Sequence, residues 1–394
     1  MKKIFLCLIS ICFCLMLVGC QDNSFDNNNP EKHQHEYSNS WYLDSEYHWK
    51  ECSCGNKDLI ADHTFDTYNK CSVCQYPFQY TSGLSFLPIK NGTEYEVTRD
   101  IVKFPYATIY ILIIPPYYNG KPVTSIGELA FDNCDMRTAQ LPDTITNIGV
   151  GAFKYCDELR SINIPEKCER IEEYAFYCCS PLKIDNIPDS VYEIGQYAFA
   201  GCGGITDITL PRNLKIINEG LLSGCGGLKN ITFPEALTEI KKSAFSGSGL
   251  ETIELPNTID YIPNYCFQYC RSLQRIKIPD SVTLIGFQAF ELCLNLRTVE
   301  LSKNLSHISK EAFKDCNSLT SIIIPENVSY IGASAFLGCN TLNSVVFENP
   351  YGWVAEKFYT TVRKLEATEI GNPSAMAILL KSYTTNMDYD FVRK

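Results

Sequence analysis

The chain has 394 residues, 45% hydrophobic and 20% charged, with 20 cysteines, 34 basic and 45 acidic side chains. That length fits two or three domains or one long repeat array, and the apolar fraction excludes global disorder. A formal charge of −11 argues against a nucleic-acid binder, which needs a basic face to neutralise phosphates. The cysteines are too many for a routine cytosolic enzyme, and the chain is too long for a small disulfide scaffold.

Residues 1–20 read MKKIFLCLISICFCLMLVGC, with Lys2 and Lys3 ahead of an uncharged apolar run over residues 4–18. The run is too short to span a bilayer and has the form of a signal-peptide core. Its end, Leu17-Val18-Gly19-Cys20, resembles the lipobox of bacterial lipoprotein signals. That resemblance implies cleavage before Cys20 and a diacylglycerol on its thiol. No later stretch is long enough for a transmembrane helix, so the lipid would be the sole anchor, at the outer side of the membrane and the bacterial cell surface. Cleavage removes two lysines and takes the charge from −11 to −13, which disfavours adsorption to anionic lipid. Residues 21–32, QDNSFDNNNPEK, are nearly free of apolar side chains and read as a flexible tether.

Residues 33–80 form a small Cys/His-rich module, with His48 and the spaced pairs Cys52-x-Cys54 and Cys71-x2-Cys74, and His63 between them. Four thiolates are the number a closed tetrahedral Zn²⁺ site needs, and His48 and His63 are alternate ligands. The order resembles Cys/His-rich zinc-ribbon-like modules of bacterial surface proteins. Fewer than fifty residues need such a staple to fold. Disulfides cross-linking the two pairs are the alternative outside the cytosol. A catalytic zinc is disfavoured, because no HExxH motif or nearby carboxylate base accompanies the cluster.

After a linker at 81–93, residues 94–350 become self-similar. The motif IGxxAFxxCxxLxxIxIPxxV recurs every 23 residues, shortened to 22 at two points. One column is isoleucine in ten of ten copies, from Ile126 to Ile331, and five residues on phenylalanine fills nine of ten, with Leu222 the exception. In Leu159-Arg160-Ser161-Ile162-Asn163-Ile164-Pro165 the isoleucines alternate with polar residues, as on a short strand that proline ends. Val191, Ile194, Ala198, Phe199 and Cys202 follow a helix-like spacing in the return half. Stacked rungs about 4.8 Å apart would bury both faces, giving a solenoid of about ten rungs roughly 50 Å long.

This pattern is a leucine-rich repeat variant, and IxxIGxxAFxxCxxLxxIxIP resembles the BspA-like leucine-rich repeats of bacterial surface proteins. The resemblance implies a right-handed solenoid, cell-surface display and an adhesive or protein-binding role. Two departures stand out. Asp185 occupies an aliphatic column, and the copy at Phe245 lacks a residue and has Ser248 in the cysteine column, so a local bend or loosened rung is expected near 245–250.

Nine cysteines share one column, three after the phenylalanine, at positions 134, 156, 179, 202, 225, 270, 293, 316 and 339. Equivalent side chains of stacked rungs stay about 4.8 Å apart, wider than a disulfide's Cβ spacing, so buried free thiols are expected. Cys168 and Cys266 replace core residues, and Cys178 is the most exposed candidate thiol. The array shows no catalytic constellation, and the protein is not expected to be an enzyme.

The outward strand face carries a broken basic stripe, Arg137, Arg160, Lys183, Lys229 and Arg297, and an apolar end at Ile323 and Val346. No tyrosine or tryptophan cluster marks a hot spot there. Residues 351–394 leave the period; Pro373 precedes a short helix around 375–380, and the segment reads as a terminal cap. The favoured function is a lipid-anchored surface protein binding an unidentified protein of a host, the extracellular matrix or another bacterium. A structural envelope spacer and a metal-handling lipoprotein acting through the Cys/His module are the alternatives.

Overall fold

A computed structural model describes residues 42–43, 47–51, 57–62, 80–100, 110–357, 360–382 and 389–394. The chain divides into Met1–Phe78 and Gln79–Lys394. In the first unit, strands 42–43, 47–51 and 57–62 form an antiparallel sheet in chain order, with an irregularity between His48 and Lys50. His48 lies on the middle strand. Cys52, Cys54, His63, Cys71 and Cys74 lie outside the described residues, as do Cys20 and the signal and tether segments.

The second unit is the expected solenoid, and each rung has three ways of bonding to its neighbours. The first is the LxxIxI segment, whose strands pair in parallel: 111–113 with 138–140 and that with 161–162, 207–209 with 230–232, 252–254 with 275–277 and that with 298–300, and 321–324 with 344–347. The second is a two-residue strand ending at the isoleucine column, in register from Ile126 to Ile148, Ile171 and Ile194. It continues from Ile217 to Ile240 and from Ile262 to Ile285, Ile308 and Ile331. The third runs through the return segment. There the N–H groups of Gly151, Phe153 and Tyr155 donate to the carbonyls of Glu173, Ala175 and Tyr177 in the next rung, each at 2.8 Å.

The return segment is not helical, contrary to its apolar spacing. Among the described residues no α-helix precedes residue 367. The residues three after each isoleucine and two after each phenylalanine have positive φ in all ten copies, for example Tyr174 at 55° and Tyr155 at 57°. Of these twenty positions only 151, 201, 220, 224, 247 and 338 are glycine. A left-handed residue ends a right-handed helical turn, and at a non-glycine it costs about 1 kcal/mol or more. The forward bonds made by these same N–H groups offset that cost. Spacings of 3, 7, 8 and 11 arise here from successive tight turns that point every apolar residue inward.

The core is a set of stacked columns. Phe131, Phe153, Phe176 and Phe199 stack with centroids 5.3–5.5 Å apart and planes within 19°. The stack stops at Leu222 and resumes from Phe245 to Phe336 at 5.1–5.5 Å. Beside them, each thiol of the cysteine column donates to the phenylalanine carbonyl one rung back: Cys156 to Phe131, Cys179 to Phe153 and Cys202 to Phe176 at 3.0–3.1 Å. Cys134 has no rung behind it in this column, and Arg99 Nη1 donates to its sulfur at 3.0 Å instead. At the serine interruption Ser248 Oγ meets Cys270 Sγ at 3.3 Å. The twelve cysteines among the described residues are unbridged, and Cys178 is the one that is only half-buried.

Departures from the motif coincide with breaks in the ladders. Asp185 is exposed, and Ile184 turns inward in its place, 6% exposed. A carboxylate does not enter an apolar column, so the strand turns over locally; the rung register is kept, with Lys183 N on Arg160 O, but only one isolated bridge, Asn186 to Thr209, remains. The shortened copy separates 230–232 from 252–254, where irregularity near 245–250 is expected. Pro263 follows Ile262 where other copies place an N–H that bonds one rung back, as Gly286 does to Ile262 at 2.8 Å. Proline has no such donor, and the isoleucine ladder breaks between Ile240 and Ile262.

Both ends are closed. The linker expected at 81–93 is instead mostly strand: 84–89 pairs antiparallel with 94–99, which joins 121–126 at the start of the isoleucine ladder. Phe86 stacks on Tyr118 at 4.1 Å, and Pro88 is tolerated because the strand is a sheet edge. At the far end, 390–393 pairs with 330–331 and 353–357, and 353–357 with 360–364. The helix 373–382 starts at Asn372, whose Oδ1 accepts from Ala375 N at 3.1 Å, and buries Met376, Ala377 and Leu380.

Burial raises the core thiols above their ordinary value of 9, to about 11 for Cys134 and Cys270 and about 12 for Cys168 and Cys225. Their raised native pKa values make a contribution to stability that is complete below the unfolded thiol pKa and is lost as pH rises through the native values. Guanidinium denaturation in the presence of reductant will therefore show a midpoint that falls from about pH 8 to about pH 10.5. A midpoint that stays level would contradict a core of neutral thiols.

Candidate functional site

The strand face is built by alternation: in 321–324 the inward Ile322 and Ile324 are buried while Ser321 and Ile323 face outward. Cross-rung bonds hold the leading column in register, with Arg160 N donating to Arg137 O at 2.9 Å and Lys183 N to Arg160 O at 3.0 Å. Arg137, Arg160 and Lys183 therefore stand on three consecutive rungs, all exposed. The Arg137 guanidinium lies over the Tyr110 ring at 5.6 Å, and Arg160 lies 3.7 Å from Glu158. Lys183 has no side-chain partner among the described residues.

The rest of the basic stripe does not continue this group. Lys229 is held by Glu251 Oε1 at 3.0 Å and the Gly249 carbonyl at 3.2 Å. Arg297 is exposed several rungs away. Glu254, Lys277 and Glu300 are cross-strand partners of alternating sign, a self-complementing surface. Asn163 is occupied as well, its amide exchanging both bonds with the Leu141 backbone at 2.7 and 2.8 Å. Ile323 and Val346 are direct partners, 56% and 40% exposed.

The return side carries an aromatic cluster that has no counterpart on the strand face. Lys154 Nζ lies 5.1, 5.4 and 5.8 Å from the centroids of Tyr155, Tyr174 and Tyr177. Tyr174 and Tyr197 stack at 5.4 Å with planes 8° apart. Tyr197 OH donates to Glu219 at 2.8 Å, and Glu219 pairs with Lys242 at 3.1 Å. Burial, then the Glu219 contact, pushes the Tyr197 phenol up. The signal is present in the sequence, as tyrosine recurs three after the isoleucine at 174 and 197, but it falls outside the core columns.

Further along this side a polar network joins Gln268 to Glu291 at 2.7 Å, Gln288 to Glu311 at 2.6 Å and Lys314 to both glutamates at 2.9 and 3.2 Å. Every partner is neutralised or donated to, so the network binds rung to rung. Among the described residues no cluster of His, Cys, Asp and Glu is arranged to hold a metal ion, and no helix is long and apolar enough to cross a membrane. The candidate ligands of the Cys/His module lie outside those residues, apart from His48.

Lys154 is expected to couple energetically to its aromatic neighbours. In a double-mutant cycle of Lys154→Ala and Tyr174→Leu, read by denaturant unfolding, the coupling energy will be about 0.5–1 kcal/mol. Strict additivity would mean that the ammonium is solvated rather than held by the rings.

No curated protein matches the chain. Among solved structures, it is similar to a leucine-rich cell surface protein from Faecalibacterium prausnitzii, at 26% identity over 68% of this chain and 88% of that one, with a TM-score of 0.47. It is also similar to a leucine-rich repeat protein from Bacteroides ovatus, at 25% identity over 68% and 88%, with a TM-score of 0.39. A third, a leucine-rich repeat protein from Bacteroides capillosus, is 31% identical over 29% of this chain and 86% of that one, with a TM-score of 0.26. The model of the BspA type leucine rich repeat region matches residues 124–251 and 238–366, and no catalytic family is indicated. The columns of isoleucine, phenylalanine and cysteine that stack through the solenoid are those of this repeat, and the chain belongs to the BspA-type leucine-rich repeat family.

Proposed function

We propose that this is a lipid-anchored protein of the bacterial cell surface that binds proteins of a host or of other cells through its strand face. The observation that carries the reading is the group formed by Arg137, Arg160 and Lys183, three cations on adjacent rungs of an acidic chain, with Tyr110 beside them. Such a row offers an acidic protein surface complementary charge, which raises association rate and selects the partner. The exposed pair Ile323 and Val346 supplies an apolar contact at the other end. Cys20 carries the lipid in this reading, and Cys52, Cys54, Cys71 and Cys74 hold a structural zinc, with His48 or His63 as replacement ligands.

A structural spacer is the second reading. It is favoured by the self-pairing of Lys229 with Glu251 and by the alternation at Glu254, Lys277 and Glu300, which leaves less of the face free for a partner.

Residues 21–394, immobilised and screened against extracellular-matrix and bacterial surface proteins, will show saturable binding that drops at least tenfold in R137A/R160A/K183A. Binding that survives the triple substitution refutes the basic row, and an absence of binding favours the spacer. For the module, atomic emission on the same protein will give about one zinc per chain, reduced by Cys71→Ser. Zinc-free protein with four oxidised cysteines would establish disulfides instead.

A further inference from the structure

The isoleucine ladder breaks between Ile194 and Ile217, and a groove opens there. Elsewhere Tyr192 N donates to Glu169 O at 3.0 Å and Thr238 N to Lys215 O at 2.8 Å. No equivalent bond joins Lys215 to Tyr192, and strands 193–194 and 216–217 do not pair. Asn218 stands where the neighbouring rung has Gly195, and its side-chain Nδ2 reaches the Ile194 carbonyl at 2.7 Å in place of a backbone N–H. The resulting groove, about 500 Å³, is lined by Tyr192, Asn213, Lys215, Ile216, Asn218 and Lys241 among others. A second groove of about 420 Å³ opens at the next break, beside Pro263, and Lys241 lines it too. These volumes lie in the range of small-ligand sites.

The charges of this region are unequal in their pairing. Glu193 is held by Arg170 at 3.2 Å, and Glu219 by Lys242 at 3.1 Å and Tyr197 OH at 2.8 Å. Lys215 and Lys241 have no anionic partner among the described residues. Lys215 and Lys241 thus line a cleft whose one acidic lining residue, Glu193, shares Arg170 with Glu172, on a chain of net charge −11, and a cleft concentrates such a field. The ring of Tyr192 is 53% exposed at the same groove, which gives the apolar face of a sugar a surface to lie on. Asn213 and Asn218 add amide groups of the kind that bond hydroxyls.

We propose that the groove between residues 192–194 and 213–218 binds a carboxylate-bearing sugar, with Lys215 and Lys241 on the carboxylate and Tyr192 under the ring. The site is distinct from the strand face and needs neither the basic row nor the lipid anchor.

The test is calorimetric titration of residues 21–394 with trigalacturonate, its methyl ester and inorganic phosphate. Trigalacturonate is expected to bind saturably, the neutral ester at least tenfold more weakly, and phosphate without saturation. Lys215→Gln with Lys241→Gln, and separately Tyr192→Ala, should each weaken trigalacturonate at least tenfold with an unchanged melting temperature. R137A/R160A/K183A should leave it unaltered, which separates this site from protein binding by the strand face. No trigalacturonate binding, equal affinity for the ester, or saturable phosphate binding of similar strength would overturn the proposal. The ester comparison decides the matter even where a variant fails to fold.

Discussion

No rung of this solenoid can satisfy its own backbone. In the return segment every second N–H points to the next rung, in the isoleucine strand the N–H groups point to the previous one, and the LxxIxI strand donates both ways, as Arg160 N does to Arg137 O and Leu210 N to Thr232 O. An unpaired buried amide costs about 1–3 kcal/mol, so adjacent rungs must lie in register over their whole length. Register in turn forces equivalent residues to stack on one another. The phenylalanine column, the isoleucine column and the thiol column all follow from that single requirement. It also explains why left-handed residues are accepted at two positions per rung: they aim the N–H groups along the stack. The antiparallel hairpin 84–99 and the strand 390–393 exist because the first and last rungs have one side without a neighbour.

Where a column is interrupted, the ladder rather than the core gives way. Leu222 breaks the ring stack yet stays fully buried, and Asp185 moves outward while Ile184 takes over its place inside. Pro263 and Asn218 each remove a backbone contact at the surface and leave the apolar columns beneath them closed. Burial of isoleucine and phenylalanine is worth about 1.5–3 kcal/mol per side chain, more than one exposed cross-rung hydrogen bond. The defects therefore collect at the surface. They make the array locally irregular where it can hold a ligand, and the two grooves coincide with the two breaks of the isoleucine ladder.

The surface divides by side. The strand face carries one contiguous basic group, the exposed apolar pair Ile323 and Val346, and charges that meet across rungs, such as Lys229 with Glu251. The return side concentrates tyrosine around Lys154 and, further along, carboxylates and amides bonded across rungs. A repeated scaffold permits this because only the inward residues are constrained by stacking, and outward positions vary freely between copies. Binding properties of such an array reside in those variable positions.

The repeat, its period, the core columns, the free thiol column and the site of its serine interruption were all legible in the chain, because stacking makes one physical environment recur every 23 residues. A polar residue in an apolar column, such as Asp185, was legible as a defect, but not the inward turn of Ile184 that repairs it. The return half read as helix, since successive tight turns and a helix place apolar residues at nearly the same spacing. Only the backbone geometry separates them, and fourteen of the twenty left-handed positions carry side chains that do not announce it. The strand at 84–89 escaped notice for a similar reason: its pairing is with the first rung, a tertiary contact, and its own six residues lack clear alternation. The basic stripe looked like one feature along the sequence, yet three of its members stand together and Lys229 is tied to Glu251. Which outward residues meet depends on the stacking of rungs and on the reach of their neighbours, so local sequence determined the columns and the tertiary structure decided the sites.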